Sequence, residues 1–476
     1  MADKIATLGS GEKDSFIVCR NSKGLPVRGS LMHFTNQTTV FEVYNPFSIL
    51  QLSEVLNDFK IVIGERTLYA GRGVVSSLVN TGIMLVCEAT LVDPWNDVDI
   101  LALIKDSNLF REEIKRFVCD WRINNNILPE FKVLTSDFQG FLSELSLWLK
   151  QLETPIPQLL PNASEQLSLE LVDKVVEPLR PMAAEFLQKL EAVAGQIPPE
   201  RVGIHKAYLR RDLHPLTLCS PFVHRTFTKP LGYAGDFEMI NMILERPYEG
   251  RTLFAKTINK LLIDTPPAEA HRNRIVILRR LLEQETDRAR ANGHPLEVLN
   301  IGCGPAKEVR DFIASTRASG LCRITLMDFS KEALDFARRR TLEQKALSAS
   351  EIQLDFVEKS IDELLRESVV RGRERFPVPK RYDFVYCAGL FDYFTDSICQ
   401  RLIALFYDWL VPGGLLCVTN IHPSNPQRHL MEYLLEWNVF YRSEKEFESL
   451  GTPEGEKEVF ADPTGVNVFL NIRKSS

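Results

Sequence analysis

The sequence predicts a multidomain chain with a small all-β domain in front, a helical middle region and a doubly wound α/β domain at the end. Three textures carry this reading. Short β-rich runs separated by Gly and Asn turn signals fill residues 16–91. Helical periodicity takes over from about Asp97. From about His294 onward, strand-like and helix-like units alternate, which is the signature of βαβ construction around a parallel sheet.

The front domain, residues 1–96, is read from "SLMHF", "FEVY" and "FKIVIGERTLYAGRGVVSSLVNTGIMLVCEATL" as an antiparallel barrel or sandwich. Residues 97–198 follow as a helical connector, with "DVDILALIKDSNLFREEIKRFV" and "ASEQLSLELVDKVVEPLRPMAAEFLQKLEAVA" as helices and the prolines of "LETPIPQLLP" as the break between them. Residues 199–293 keep helical texture around the loop-rich "CSPFVHRTFTKPLGYAGD". The last domain, residues 294–476, runs through "LEVLNIG", "EVRDFIAS", "CRITLMDF", "KEALDFARRRTLEQKAL", "IQLDFVEKS", "RYDFVYCAG", "SICQRLIALFYDWL" and "GGLLCVTNI". No internal repeat interrupts this order.

Composition narrows the function classes. With 476 residues and 45% hydrophobic content the chain can bury several cores, and a net charge of −6 argues against a basic surface for nucleic acid. No run of about 18 apolar residues offers an integral membrane segment, and the start "MADKIATLGSGEKDSF" lacks the apolar stretch of a secretory signal. The expectation is a cytoplasmic protein. The nine cysteines contain no C-x-x-C pair and no Cys/His cluster, so no metal site and no disulfide framework is indicated.

In open α/β sheets ligands bind at the carboxyl ends of the strands, which directs attention to the turn "NIGCGPA". Gly302 and Gly304 let the backbone bend sharply and let a ligand approach closely. Pro305, Ala306 and Lys307 follow, so the third glycine of a dinucleotide fingerprint is missing, and a P-loop is absent at this turn. The next strand, "RITLMD", ends in Asp328, whose carboxylate can accept from both hydroxyls of a ribose. This combination suits a nucleoside without a pyrophosphate.

Together, "VLNIGCGPA", Asp328, "YDFVYCAG" and "LVPGGLLCVTN" resemble the ordered motifs of class I S-adenosylmethionine-dependent methyltransferases, with their Rossmann-like fold. The resemblance implies S-adenosyl-L-methionine as cofactor. It places Asn300, Gly302, Cys303 and Gly304 at the aminoacyl part, Asp328 and Phe329 at the ribose, and Ser360 and Ile361 at the adenine. Cys387, Ala388 and Gly389, leading to Leu390, would flank the cofactor and open onto the substrate. Asn300 stands where the family often has an acid, Ala306 where it often has a third glycine, and Ser360 where it often has an Asp.

Upstream, "HRTFTKPLGYAGDFEMINMI" sets glycines around Tyr233 and offers Asp236 as a helix N-cap, which reads as a hinged lid. The segment "TFTKPLGYAGDFEMINMI" followed by this α/β domain resembles bacterial methyltransferases linked to 3-hydroxypalmitic acid methyl ester, a fatty-acid-ester signal of quorum sensing. That resemblance implies O-methylation of the carboxylate of a 3-hydroxy fatty acid. A carboxylate is ionised at neutral pH, so positioning residues should outnumber proton carriers. Candidates are Tyr233, Asp236, Tyr393 and His422; helix capping for Asp236, packing for Tyr393 and a turn for His422 are the alternative readings. His205, Tyr208, Arg211 and His214 could face the same pocket or lie on a solvated helix face.

The front domain resembles a PilZ-type barrel, a fold that often reads cyclic di-GMP. Taking Gly82 as the motif glycine puts Ser77 in place of the acid and Val79 in place of the serine, and Arg28 has no second arginine at the required spacing. Cyclic di-GMP binding is therefore not expected. The domain reads instead as a module for a protein partner or for self-association. A noncatalytic S-adenosylmethionine-binding regulator or scaffold, and a methyltransferase acting on another small molecule, are the alternative functions.

Overall fold

The computed structural model describes residues 15–35, 37–43, 50–63, 66–80, 85–93, 126–154, 164–315, 322–370, 381–450 and 455–475, with scattered positions between 111 and 119. The helix expected from Asp97, the proline-rich segment at 155–163 and Gly82 lie wholly or largely outside these residues. The chain divides into two compact units. Met1–Ala234, Tyr248–Leu261 and Gln427–Asn438 make the first; Gly235–Pro247, Leu262–Pro426 and Val439–Ser476 make the second.

The first unit opens with strands β1 (Ser15–Arg20), β2 (Pro26–Phe34), β3 (Thr38–Val43), β4 (Val55–Ile63), β5 (Arg66–Asn80) and β6 (Leu85–Leu91). They close into an antiparallel barrel in the order β1-β2-β3-β6-β5-β4. Alternation along β2 sends Val27 and Leu31 inward and leaves Arg28 outside, where its guanidinium lies 4.3 Å from the Phe16 ring centroid. Phe41, Phe59 and Tyr69 fill the interior, with ring centroids 5.7 and 6.2 Å apart along the chain of contacts. Gly29 makes room for this core, because a Cβ there would lie 2.9 Å from the Phe41 ring. Ser77 and Val79, the substitutes in the nucleotide motif, both sit on β5, with Val79 56% exposed.

Helices complete this unit: α1 (Pro129–Glu153), α2 (Ser164–Ala194), α3 (Val202–Thr217) and α4 (Pro221–Thr228). On α3, His205 and His214 are buried, so the solvated-face reading does not hold for them. The His205 ring accepts from the Leu128 N–H at 3.0 Å through Nε2 and meets the Arg201 carbonyl at 2.7 Å through Nδ1. His214 Nε2 meets the Leu434 carbonyl at 2.9 Å, and its ring packs on Phe227. Burial lowers the pKa of both imidazoles, against the backbone hydrogen bonds that raise it. These histidines hold helices together within this unit.

The second unit takes α5 (Phe237–Glu245), while α6 (Leu253–Ile263) belongs to the first as far as Leu261. The α/β part then follows: α7 (Pro266–Ala291), β7 (Leu296–Ile301), α8 (Lys307–Ser315), β8 (Cys322–Asp328), α9 (Lys331–Leu347), β9 (Gln353–Glu358), α10 (Ile361–Val370), β10 (Tyr382–Cys387), α11 (Asp396–Asp408) and β11 (Leu410–Ile421). After α12 (Arg428–Tyr433), which belongs to the first unit, come α13 (Glu444–Glu448), β12 (Gly455–Ala461) and β13 (Asn467–Lys474).

The seven strands form one sheet in the order β12-β13-β11-β10-β7-β8-β9. Strands β7 to β11 run parallel, as their apolar runs require when both faces are covered. The sheet is mixed where a parallel one was expected, because β13 returns antiparallel to β11 and β12 pairs antiparallel with β13. The cause is local. Asp462 accepts the Thr464, Val466 and Asn467 N–H groups at 3.1, 3.1 and 2.8 Å, closing a tight turn that only an antiparallel neighbour can use. No described helix is long and apolar enough to cross a membrane.

Candidate functional site

At the carboxyl end of β7 the backbone enters the left-handed region at Gly302 (φ 67°) and again at Gly304 (φ 50°). The Gly302 and Cys303 N–H groups donate to the Met327 carbonyl at 2.8 and 3.0 Å, fastening the turn to β8. A Cβ on Gly302 would meet Leu390 at 3.6 Å, whereas one on Gly304 would meet nothing within 4 Å, so open space lies beside Gly304. Ala306 also adopts positive φ, at 47°, while fully buried. The turn keeps the left-handed conformation at the position of the family's third glycine even though a Cβ is present.

Asp328 ends β8 beside this turn. Its Oδ2 accepts from the Gly304 N–H and its Oδ1 from the Ser330 N–H, both at 2.9 Å. Burial pushes its pKa up, against the pull of these backbone donors. The Phe329 N–H is a third backbone donor, and the carboxylate keeps capacity for a further hydrogen bond, so the turn orients the acid without saturating it.

An acid that the sequence reading passed over lies behind the turn. Glu308, in the first turn of α8, is buried and accepts from the Asn300 amide and the Tyr386 hydroxyl, each at 2.9 Å. The neutral Asn300 therefore carries a carboxylate next to it, supplied from the helix instead of from the strand. The signal was available: Glu308 stands among Val309, Phe312 and Ile313 on the apolar side of a short helix, where a charge needs a reason.

The end of β10 contributes Cys387, Ala388 and Gly389. Burial pushes the Cys303 and Cys387 thiols well above their ordinary range, so neither is a ready nucleophile. Gly389 (φ 85°) donates its N–H to Thr419 Oγ1 at 2.9 Å, and a Cβ there would lie 2.7 Å from Nη1 of Arg274. Asp392 and Tyr393 follow in a buried 3-10 turn. Asp392 Oδ1 accepts from the Ile421 N–H at 2.7 Å. Burial pushes Asp392 up to about 6, with Arg274 and Arg442 pulling the other way.

This shift has a sign that can be measured. The folded-state pKa lies above the ordinary 3.8, so Asp392 lowers stability once it must ionise inside the fold. Its contribution is most favourable below about pH 4 and is lost as pH rises through about 6. Asp392→Asn keeps an acceptor for Ile421 and should flatten that part of the profile, as followed by denaturant unfolding across a pH series.

Ser360, expected from the resemblance to line the adenine, is engaged as an N-cap. Its N–H and hydroxyl donate to Glu363 Oε2 at 2.7 and 2.9 Å, and its Oγ accepts from the Glu363 N–H, a capping box that starts α10 at Ile361. Phe329 is half-buried next to Asp328. His422, at the end of β11, has Nδ1 2.6 Å from Ser424 Oγ and 3.1 Å from the Ser424 N–H, so that nitrogen serves the turn. Asp236 is buried and caps α5 by accepting from the Met239 N–H at 2.9 Å.

The loop around Tyr233 is not free to hinge in the way the glycines suggested. Gly232 (φ 86°) gives its carbonyl to the Val55 N–H at 2.7 Å, and a Cβ on it would lie 2.8 Å from Ser22, so barrel residues hold it in place. Tyr233 belongs to the first unit, whereas Asp236, Gly302, Gly304, Asp328, Tyr393 and His422 belong to the second. Among the described residues no group of His, Cys, Asp and Glu side chains could hold a metal ion.

Residues 298–414 match the methyltransferase domain family. No curated protein matches the sequence. Among solved structures, a possible exported protein from Bordetella parapertussis aligns with 63% of this chain and 97% of its own, at 16% identity and a TM-score of 0.40. The magnesium protoporphyrin IX methyltransferase from Synechocystis PCC 6803 aligns with 49% of this chain and 93% of its own (13% identity, TM-score 0.32). An N-methyltransferase from Bradyrhizobium japonicum WM9 aligns with 45% and 90% (17% identity, TM-score 0.29). The stretch that begins on β7, folds through the glycine turn and Asp328, and reaches β11 is a methyltransferase domain, spanning residues 298–414.

Proposed function

We propose that the second unit binds S-adenosyl-L-methionine and methylates a small molecule, the carboxylate of a 3-hydroxy acyl chain. The observation that carries the cofactor reading is the link from the Gly304 N–H to Asp328 Oδ2, which holds an acid at the mouth of a turn whose Gly304 side is open. These residues fit an adenosyl ligand: Asp328 has capacity left for a ribose hydroxyl, and the glycine turn lets an aminoacyl chain pass close to the backbone. When bound, the cofactor supplies an electrophilic methyl group. The chain's own task is to hold an acceptor oxygen in line with it, for which Tyr393 and the segment from Cys387 to Leu390 are the candidates.

The acceptor class rests on the resemblance of "TFTKPLGYAGDFEMINMI" and the following domain to ester-forming relatives, and on the chemistry of an acceptor that is already ionised. Apolar burial of about 0.8 kcal/mol per CH₂ makes the specificity constant rise by roughly fourfold per methylene until the acyl site is full. Transfer of a labelled methyl group to free 3-hydroxy acids of increasing length tests this. A flat response, or transfer only to amines, removes the acyl acceptor and leaves methyl transfer standing.

A further inference from the structure

Helix α7 buries Ala270, Arg274, Leu278 and Leu282, four residues apart on one stripe, and Arg274 is the member that does not belong. It is 7% exposed. Among the described residues it makes no hydrogen bond and no ion pair, although Asp392, Glu308, Tyr393 and Cys387 lie within its electrostatic reach. The other buried guanidinium groups of this unit are paired at least in part: Arg442 donates to Asp396, Asn420 and the Phe391 and Phe394 carbonyls, and Arg310 Nη1 meets Glu245 at 3.0 Å while its Nε and Nη2 are sealed in without a partner.

A guanidinium cannot shed its proton, and the Arg274 nitrogens, unlike Nε and Nη2 of Arg310, are not sealed from solvent, so the unpaired fork borders space that a ligand can enter. Its place is defined by Gly389: a side chain there would collide with Nη1 of Arg274 at 2.7 Å, so the glycine keeps the fork at the carboxyl end of β10. Leu390, the next residue, is the neighbour of Gly302 across the turn. A planar fork with donors to spare matches the two coplanar oxygens of a carboxylate, the anion that the ligands of methyl transfer carry here.

We infer that Arg274 is the carboxylate-binding residue of this site, receiving a carboxylate of the bound ligands through its guanidinium fork. The inference rests on the methyl-transfer reading, which offers two sources: the aminoacyl carboxylate of the cofactor and the carboxylate of the acceptor.

The test is calorimetry on the full chain with S-adenosylhomocysteine, with 5′-methylthioadenosine, which lacks the aminoacyl group, and with a free 3-hydroxy acid. Arg274→Gln should weaken either S-adenosylhomocysteine or the 3-hydroxy acid by roughly 10- to 100-fold, the worth of hydrogen bonds to a charged group. Binding of 5′-methylthioadenosine should stay within about twofold, which also reports that the variant is folded. Loss on the first ligand assigns the cofactor's carboxylate and loss on the second the acceptor's, while Arg274→Lys should recover part of the affinity. The wild-type chain gives an independent check with the carboxamides of both ligands, which should bind at least tenfold more weakly on the arm that uses Arg274. Unchanged affinities in Arg274→Gln, or wild-type binding of both carboxamides as tight as the acids, overturns the inference. If the wild type binds no adenosyl compound, the cofactor reading falls by itself, and the acid and its carboxamide still decide the role of Arg274.

Discussion

Asp328→Ala is expected to weaken S-adenosylmethionine and S-adenosylhomocysteine by roughly 1.5–3 kcal/mol, which is about one to two powers of ten. The size follows from what the carboxylate does. A hydrogen bond to a charged acceptor is worth about 1.5–3 kcal/mol, and Asp328 keeps capacity for one beyond its backbone donors. The substitution also orphans the Gly304 and Ser330 N–H groups, so the glycine turn loses its tie to β8's last side chain. Asp328→Asn should do nearly as badly, since its amide would turn a donor toward one of those N–H groups. Calorimetry reads the result, and thermal unfolding without ligand separates turn damage from lost ligand contacts. An alanine variant that binds as well as the wild type would end the assignment of this turn as the nucleoside site.

Glu436→Ala is expected to destabilise the first unit by about 3–5 kcal/mol, the cost of stripping a buried charge of its partner. Glu436 is 2% exposed and accepts from Arg210 Nη1 at 3.1 Å. Lys229 is equally buried, with its ammonium 3.3 Å from the Phe227 carbonyl, and Lys206 donates to Asn438 at 3.2 Å. Burial alone would raise the Glu436 pKa, but Arg210, Lys229 and Lys206 together bring it below the ordinary carboxylate range. Lys229 is itself lowered to about 8 by burial, partly offset by Glu436. Without Glu436 its pKa falls further, so the deficit should be full near pH 6, shrink as pH approaches about 8 and stay constant beyond, and it should also fade in acid as Glu436 itself takes up a proton. Denaturant unfolding at pH 6 and pH 9 measures both the size and this sign. A loss below about 1 kcal/mol would mean that water, not the protein, solvates the three cations.

Much of the site was legible because its logic is local. Gly302 and Gly304 are required by positive φ within a few residues of each other, and Asp328 follows from the place where a parallel strand ends. What was not legible depended on groups far apart in sequence. Glu308 gained meaning only when α8 laid it against Asn300 and Tyr386, and Arg274 only when α7 brought it to Gly389. The loop around Tyr233 read as a hinge because glycines permit motion, and only the Val55–Gly232 bond from the barrel showed it held. Ser360 and His422 read as ligand contacts from their strand-end positions, while the structure engages them in a capping box and a turn, both short-range competitors for the same polar atoms.

The sequence by itself determined the classes of the three regions and the order of strands and helices, because period-two and helical patterns and turn residues are properties of neighbouring positions. It also determined that a sharp glycine turn follows β7. Only the tertiary structure decided that β13 returns antiparallel to β11, and that a charged guanidinium lies on the buried stripe of α7 without a hydrogen-bond partner. Those outcomes depend on which distant surfaces pack together, and burial, not local pattern, sets the energy of each buried charge.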